Sequence, residues 1–296
     1  MKLTVESLRH RLHDDAFRQA HFVLVGDVHG DYANYCKIVS QAHCSLQVGD
    51  MVGKIHDPEM NDGKGGWRLD RYEALSELDS GRHKFIGGNH ENYQTVNCGS
   101  LHSIHSFQRG DELVQFCHMP PHCLGHYGVW RIPGIEGNKE LSGDIFFLRG
   151  AWSIDSPGNP FGIIETTLGV DFFPEEELTM DQCYAAAELY KSVKPDFVVT
   201  HACPKFFQSQ LQLVGTGKSQ QTDGKQVETR TTQLLDYLYE IHQPKIWVFG
   251  HYHQSKIAAV ADTLFVCLER SVYHAPLNLI NGACLYFDKQ LNLIMR

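Results

Sequence analysis

The sequence lacks the signals of a membrane-spanning, secreted or disulfide-rich protein. No run approaches the roughly 18 consecutive apolar residues of a membrane span. The opening residues, MKLTVESLRHRLHDD, contain no apolar secretory core. The chain has nine cysteines, an odd number, and no two of them form a CxxC pattern. We therefore expect a reduced, cytoplasmic protein that does not contact a membrane.

The chain also has fewer positively charged than negatively charged residues. The 26 Lys and Arg residues are outnumbered by 35 Asp and Glu residues, which gives a formal net charge of −9 at pH 7. Because nonspecific nucleic-acid binders are usually basic, a nucleic-acid partner is disfavoured, although bound dications would reverse the local sign. The length of 296 residues suits one large domain or two modest ones. No repeat or obvious linker divides it, so we predict a single domain over residues 1–296.

Short apolar runs rich in Val, Ile and Phe recur along the chain, and several end in a polar turn that contains glycine. Each run is too short for a helix, so we predict buried strands. Six runs are HFVLVGD from His21, CSLQVGD from Cys44, HKFIGGN from His83, DIFFLRG from Asp144, PDFVVTH from Pro195 and KIWVFGH from Lys245. Two later runs, TLFVCLER and GACLYFDKQLNLIM, predict a closing hairpin or meander.

Helical patterns alternate with these runs, which indicates an α/β layered fold with a mixed sheet. Asp31 is placed to cap one helix, and Pro244 is placed to stop another. The predicted helices span Leu3–Gln19, Asp31–Ala42, Leu69–Leu78, Met180–Val193 and Thr229–His242. Glu91–Arg131 is predicted to be irregular, and the polar segment Pro204–Glu228 is predicted to be a lid loop.

The predicted strands end in side chains that can bind metal ions. In open α/β sheets, sites gather at the carboxyl ends of the strands, so these side chains are expected to converge. These side chains outnumber the four ligands of one tetrahedral zinc ion, and they suit two metal ions that share a carboxylate. Nitrogen and oxygen donors without sulfur favour Mn, Fe, Zn or Co. The donors are Asp27, His29, Asp50, Asn89, His90, Glu91, His201, His251 and His253.

The blocks GDVHG, GD, GNHE, a single His and GHYH follow one another between Gly26 and His253. In this order they resemble the calcineurin-like metallophosphoesterases. The resemblance implies an α/β sandwich of two facing mixed sheets flanked by helices, with a dinuclear site at the strand ends. It implies that Asp50 bridges the two metals. One metal would be held by Asp27, His29, Asp50 and His253, and the other by Asp50, Asn89, His201 and His251.

The resemblance also implies catalytic roles. A hydroxide that bridges the metals would attack phosphorus, and His90 would face the phosphate and protonate the leaving group. Asp27 would contribute to catalysis as a ligand, and either Asp27 or Glu91 would orient His90 or a ligand. Asn89 and His90 are expected to contact the phosphate. Arg149, in the run FLRGAWSIDS, is a further candidate for phosphate binding, and the alternative is a solvated arginine at a strand end.

A second group of histidines and cysteines lies outside these blocks. It comprises Cys117, His118, His122, Cys123 and His126, with His102 and His105 upstream. Its spacing fits no standard zinc finger, so the alternative is a loop that lines the mouth of the active site.

Within the family, GDVHG and the Glu after GNH resemble the protein Ser/Thr phosphatase and diadenosine tetraphosphatase branch. That branch continues its second motif as Asp-Arg-Gly, whereas Met51 follows Asp50 in this chain. The arginine expected after GNHE is also absent, because Asn92 and Tyr93 stand there. These departures put a protein phosphatase identity in doubt. Substitutes for the missing arginines are Lys54, Arg82, Arg109 and Arg149.

The sequence therefore predicts a metal-dependent hydrolase of phosphate esters, chiefly monoesters. The substrate would be a phosphorylated small molecule, a nucleotide or a phosphoprotein. A phosphodiesterase or a dinucleotide polyphosphate hydrolase is the alternative among enzymes. A metal-bound scaffold without turnover is the alternative from another class, and His90 argues against it because a scaffold has no use for a leaving-group acid.

Overall fold

The predicted strands assemble into two mixed sheets, as the sequence indicates. The computed structural model describes residues 20–51, 78–79, 81–91, 93, 104–109, 112–117, 122–153, 173–210, 228–271 and 282–294. The strands are β1 (Ala20–Val25), β2 (Ala42–Gln47), β3 (His83–Phe85), β4 (Ile104–Arg109), β5 (Glu112–Cys117), β6 (His122–Cys123), β7 (Tyr127–Arg131), β8 (Asp144–Leu148), β9 (Phe197–Thr200), β10 (Ile246–Phe249), β11 (Lys256–Val260), β12 (Thr263–Cys267), β13 (Cys284–Phe287) and β14 (Leu293–Ile294).

The first sheet has the strand order β14-β13-β1-β2-β3-β6. Strands β1, β2, β3 and β6 are parallel to one another, and Val25 of β1 pairs with Gln47 of β2. Strands β13 and β14 extend the other edge in antiparallel pairing. The four parallel strands therefore deliver the turns that follow β1, β2 and β3 to one edge of the sheet.

The second sheet repeats this plan with the order β11-β12-β10-β9-β8-β7. Strands β8, β9, β10 and β12 are parallel, while β7 and β11 are antiparallel edge strands. The turns after β9, β10 and β12 therefore lie together at one edge of this sheet.

Three apolar layers hold the two sheets and their helices together. Between the sheets, Phe22 and Leu46 belong to the same buried cluster as Phe197 and Val248. The helices lie on the outer faces: α1 (Tyr32–Val39) on the first sheet, and α2 (Met180–Val193), α3 (Lys205–Gln210) and α4 (Arg230–Ile241) on the second. A short 3₁₀ helix spans Pro174–Glu176. The predicted sandwich of two mixed sheets flanked by helices is confirmed.

The helices begin at the capping residues that the sequence offers. The Asp31 carboxylate accepts a hydrogen bond from the Asn34 N–H at 3.2 Å, which confirms it as the cap of α1. Thr179 caps α2 and Thr229 caps α4 through their hydroxyl groups. Helix α4 ends before Pro244, as predicted.

The prediction of irregular structure over Glu91–Arg131 is wrong. This segment contains β4 and β5, which pair with each other, as well as β6 and β7, which extend the two sheets. Its abundant polar residues weaken the apolar alternation by which strands are recognised. In the sequence, Gly110 and Asp111 separate β4 from β5, and such a pair favours a tight hairpin.

The two C-terminal runs do not form a hairpin with each other. Strand β12 lies in the second sheet, whereas β13 lies in the first, because each pairs with a different neighbour. Strand β11, which the sequence did not predict, forms the hairpin with β12. Its sequence, KIAAV, contains two alanines, which are depleted in strands, and all five residues are exposed or half-buried.

Three segments with predictions from the sequence lie wholly or partly outside the described residues. The predicted lid loop Pro204–Glu228 begins with α3, and residues 211–227 lie outside the described residues. The predicted helix Leu3–Gln19 also lies outside them, as does Leu69–Leu78 apart from Leu78.

Candidate active site

Hydrogen bonds join the turns at the edge where the strand ends meet. The His29 N–H donates to the Asp50 carbonyl at 2.8 Å and so connects the turns after β1 and β2. The Asp27 carboxylate accepts from the His251 N–H at 3.0 Å and so connects the first sheet to the second. Residues that are more than 200 positions apart in sequence are thereby held in one site.

The first group of potential ligands comprises Asp27, His29, Asp50 and His253. One ligand atom from each lies within 4.8 Å of all the others. The His253 Nε2 atom lies 3.1 Å from Asp27 Oδ2 and 2.9 Å from His29 Nε2. The His29 Nε2 atom lies 3.6 Å from Asp50 Oδ2. Two carboxylates and two imidazoles therefore converge on one small volume.

The second group comprises Asp50, His201 and His251, with Asn89 beside them. The His201 Nε2 atom lies 3.3 Å from Asp50 Oδ1 and 3.1 Å from Asn89 Oδ1. The same Asn89 oxygen lies 2.9 Å from His251 Nδ1. Asp50 is common to both groups and presents a different oxygen to each, which is the arrangement of a bridging carboxylate.

Four of these residues have a left-handed backbone conformation, which residues other than glycine seldom adopt. The φ angles are 47° for His29, 56° for Asp50, 68° for His251 and 51° for His253. Such conformations cost of order 1–3 kcal/mol each and concentrate at functional sites. The donors are therefore positioned at the expense of local stability.

Two glycines allow the close approach that the donors require. A Cβ atom at Gly88 would overlap the Asp50 carboxylate and crowd the His201 ring. A Cβ atom at Gly250 would overlap the Asp27 carboxylate. The glycines in GNHE and GHYH therefore provide space for carboxylates that come from other turns.

Burial and neighbouring charges determine the protonation of the imidazoles. Burial and the neighbouring His90 lower the pKa of His29, and burial with the neighbouring His201 lowers the pKa of His251 to about 3. Burial also opposes protonation of His201, but the Asp50 carboxylate outweighs it and raises the pKa of His201 to about 9. His29 and His251 are therefore neutral at pH 7, as ligands must be.

His90 lies beside both groups. Its ring makes an edge contact with the His29 ring at 4.5 Å between centroids, and its Nε2 atom lies 3.9 Å from Asp50 Oδ2. Its backbone N–H donates to Asp50 Oδ1 at 2.9 Å, as does the Asn89 N–H. The His90 side chain remains 23% exposed, so it can meet a substrate that enters from solvent.

Two further polar side chains support the turns. The Glu91 carboxylate is buried and accepts from the Met51 N–H at 2.6 Å and from the Gly88 N–H. The Gln47 side chain donates to the Gly26 carbonyl at 3.1 Å and accepts from the Gly49 N–H at 3.1 Å. Gln47 was not predicted from the sequence as a functional residue. The signal for it was a polar residue inside the apolar run CSLQVGD.

Arg149 is buried, with 2% of its surface exposed, so the alternative of a solvated arginine is wrong. Its Nε atom donates to His126 Nδ1 at 2.6 Å, and Nη1 donates to the Glu175 carbonyl at 2.7 Å. Its guanidinium lies 4.0 Å from the centre of the Tyr93 ring, whose hydroxyl donates to the Gly88 carbonyl at 2.6 Å. Arg149 is thus linked to the turn that carries His90, and its phosphate contact stays a prediction.

Comparison with known proteins decides the family. The family model described as calcineurin-like phosphoesterase matches residues 20–255. The chain belongs to this family. It is therefore a metal-dependent phosphoesterase, and the resemblance of its motifs to the family is confirmed at this level.

Solved structures of similar proteins have low sequence identity to this family member. A dimetal phosphatase from Danio rerio is 13% identical, with 92% of this chain and 94% of that chain covered and a TM-score of 0.46. GAP50, the anchor in the inner membrane complex of Plasmodium, is 11% identical, with 92% and 78% covered and a TM-score of 0.41. No curated protein matches the chain. Among the described helices, none is long and apolar enough to span a membrane.

The donor set of this phosphoesterase fits two metal ions. The His201 Nδ1 atom donates to the Val48 carbonyl at 3.0 Å, which leaves Nε2 directed at Asp50 and Asn89. A ring whose second nitrogen is bound to a backbone carbonyl is the usual form of a histidine ligand. The carboxylate, amide and imidazole donors suit borderline transition metals.

The second group of histidines and cysteines does not add to this site within the described side chains. Cys123 lies in β6 and packs against the cluster beneath α1, and His126 accepts the hydrogen bond from Arg149. Neither belongs to the two ligand groups found among the described residues. His118 lies outside the described residues, as do the side chains of Cys117 and His122.

Proposed function

We propose that this phosphoesterase is a phosphatase that hydrolyses monoesters with two transition-metal ions. The observation that carries the proposal is the shared carboxylate. Asp50 directs one oxygen to His29 and the other to His201, and the His90 imidazole lies 3.9 Å from Asp50 Oδ2. Two ligand groups joined at one residue, with an acid beside them, suit the hydrolysis of a phosphate ester.

Each ligand group holds one metal in this proposal. Asp27, His29, Asp50 and His253 bind the first ion, and Asp50, Asn89, His201 and His251 bind the second. The ions are Mn, Fe, Zn or Co, because the donors are nitrogen and oxygen. When bound, they neutralise phosphate charge and lower the pKa of bound water.

The remaining roles belong to residues around the phosphate. Asn89 and His90 orient it, and His90, whose side chain is 23% exposed, protonates the leaving oxygen. Asp27 orients the His251 turn through its hydrogen bond to the His251 N–H. Arg149 contributes positive charge beneath the Gly88 turn, which is supported by its contact with Tyr93.

The substrate in this proposal is a phosphorylated small molecule or a nucleotide. The branch of protein Ser/Thr phosphatases and diadenosine tetraphosphatases has the nearest motifs. However, Met51-Val52-Gly53-Lys54 follows Asp50 and Asn92-Tyr93 follows Glu91, so both arginines expected of that branch are absent, and we expect phosphoproteins to be poor substrates. The described cysteines are free thiols, which supports a reducing compartment such as the cytoplasm.

A substrate panel with the Mn²⁺-loaded protein tests the proposal. The panel contains an aryl phosphate monoester, an aryl phosphate diester, a dinucleotide polyphosphate and a phosphoserine peptide, and kcat/KM is measured for each. We expect the highest kcat/KM for the monoester and slow turnover of the peptide. A higher kcat/KM for the diester or the dinucleotide would replace the monoesterase with that activity. No turnover of any substrate would favour the scaffold.

A further inference from the structure

Tyr252 lies between two proposed ligands of the GHYH block that serve different metal ions. His251 belongs to the second ligand group, and His253 belongs to the first. The Tyr252 side chain packs instead against the apolar cluster beneath α2, α3 and α4, and its ring makes an edge contact with Phe249 at 5.9 Å between centroids. The turn after β10 is therefore attached to the protein interior at the residue between its two ligands.

A hydrogen bond connects Tyr252 to helix α3. The Gln208 side-chain NH₂ group donates to the Tyr252 hydroxyl at 2.8 Å. Gln208 lies in α3, and this helix begins shortly after His201, at the end of the turn that follows β9. The bond therefore joins the turn that carries His201 to the turn that carries His251, and both residues belong to the second ligand group.

Helix α3 is itself fixed by contacts with the core. Phe207, next to Gln208, is fully buried and stacks on Phe265 of β12, with 3.9 Å between ring centroids. The Phe206 N–H donates to the Asp236 carboxylate of α4 at 3.3 Å. The position of the Gln208 amide is thus determined by packing that does not involve the ligand groups.

The His251 ring lies against two other rings. Its centroid is 4.9 Å from that of Tyr252 and 5.0 Å from that of His201, and both are edge contacts. Its Nδ1 atom lies 2.9 Å from Asn89 Oδ1. The backbone of His251 is left-handed, with a φ of 68°, and such a conformation persists only where surrounding contacts determine it. The Tyr252 ring supplies one of these contacts.

We infer that Tyr252 and Gln208 are positioning residues that hold the His251 ring in the second ligand group. The inference rests on the proposed function, in which His251 binds the second metal ion. Gln208 fixes the Tyr252 hydroxyl, and the Tyr252 ring then restricts the orientation of the His251 imidazole. Residues behind a ligand commonly tune metal affinity in this way. The effect should fall mainly on one ion, because the His253 ring packs against His29 in the other group.

Metal binding measures this role without turnover. The metal-free wild type, Tyr252→Phe, Gln208→Met and the double variant are titrated with Co²⁺, and the visible absorption of the bound Co²⁺ is recorded. We expect each single variant to bind one of the two ions about 2–10-fold more weakly, because one neutral hydrogen bond is lost. The visible spectrum should also change, since it depends on ligand geometry. The double variant should match the single variants, because both replacements remove the same bond.

Tyr190→Phe is the matched control. The buried Tyr190 hydroxyl donates to the His242 carbonyl at 2.9 Å, before β10 and at the opposite end of that strand from His251. This variant should lose stability in urea and keep the Co²⁺ affinity and spectrum of the wild type. Wild-type affinity and spectrum in Tyr252→Phe, additive losses in the double variant, or equal changes in Tyr190→Phe would each overturn the inference. If the expected changes occur but esters are not hydrolysed, only the proposed function fails.

Discussion

At the scale of single residues, the site combines donors in strained conformations with one proposed acid, His90, that is partly exposed to solvent. His29 and Asp50 adopt left-handed backbone conformations, whereas His90 extends from its turn with part of its ring exposed. Motif order alone identified these residues. It could not identify Ser271, whose N–H donates to the Asp27 carbonyl at 2.8 Å, because no motif surrounds that serine and the contact depends on where the chain runs after β12.

The replacement His90→Asn tests the proposed leaving-group acid. Because the proton donor is lost while both ligand groups remain, we expect kcat to fall about 10²–10⁴-fold. The loss should be larger for an alkyl phosphate, whose leaving oxygen needs a proton, than for a nitrophenyl phosphate. The measurement is kcat for both substrates, with the metal content determined in the same preparations.

His43 offers the matched control for this replacement. It is an exposed histidine near the start of β2, at the opposite end of that strand from Asp50. His43→Asn should leave kcat and metal content unchanged. Equal losses of kcat for the alkyl and nitrophenyl substrates in His90→Asn would remove His90 from the acid role.

At the scale of elements, Glu91 joins two turns that carry proposed metal ligands. Its carboxylate accepts from the N–H of Met51, directly after Asp50, and from the N–H of Gly88, directly before Asn89. Burial and the nearby Asp50 carboxylate raise the pKa of Glu91 to about 8, and the two N–H donors act in the opposite direction. Glu91 therefore positions the turns after β2 and β3 relative to each other.

Glu91→Gln should destabilise this pair of turns. A glutamine side chain offers one acceptor oxygen, so its NH₂ group would face one of the two backbone N–H donors. We expect a loss of about 1–3 kcal/mol in the free energy of unfolding of the metal-free protein. Urea unfolding above pH 8, where the Glu91 carboxylate is ionised and both of its oxygens accept, measures it. Glu188→Gln, at an exposed position of α2, is the control and should be neutral. A change below about 0.5 kcal/mol in Glu91→Gln would show that the carboxylate does not hold the turns together.

The elements also show what sequence patterns can and cannot predict. Buried parallel strands such as β1 were predicted because a continuous apolar run, Phe22-Val23-Leu24-Val25, has no polar residue to place in solvent. Strand β11 was missed because its run, KIAAV, is short and contains two alanines, which are depleted in strands. The assignment of β12 and β13 to different sheets depends on pairing between distant segments, which local composition does not encode.

At the scale of the whole molecule, the site concentrates negative charge in a protein that is already acidic. The net charge is −9, and Asp27, Asp50 and Glu91 are all buried where the strand ends meet. Buried carboxylates must be offset by cations or by protons. In the metal-free protein, the proton on His201 provides part of that compensation, because the pKa of His201 is raised to about 9.

Metal binding should therefore release protons, and its affinity should rise with pH. Below pH 9 the metal-free His201 holds a proton that a metal on Nε2 must displace. At pH 7.5 we expect release of about one proton from His201, with a further contribution from Glu91 that Glu91→Gln removes. Calorimetry of Mn²⁺ binding in buffers of different ionisation enthalpy measures this number.

The protonation of His201 also determines how the free energy of unfolding of the metal-free protein changes with pH. For His201 the folded pKa of about 9 exceeds the reference value of 6.5, so its proton stabilises the fold fully below pH 6.5. That contribution is lost as the pH rises through 9. Metal ions replace the proton, so the difference in unfolding free energy between the metal-loaded and metal-free protein should widen from pH 6.5 to pH 9. A difference that stays constant over this range would mean that His201 is neutral before the metal binds, and the compensation of Asp50 would then have to come from another group.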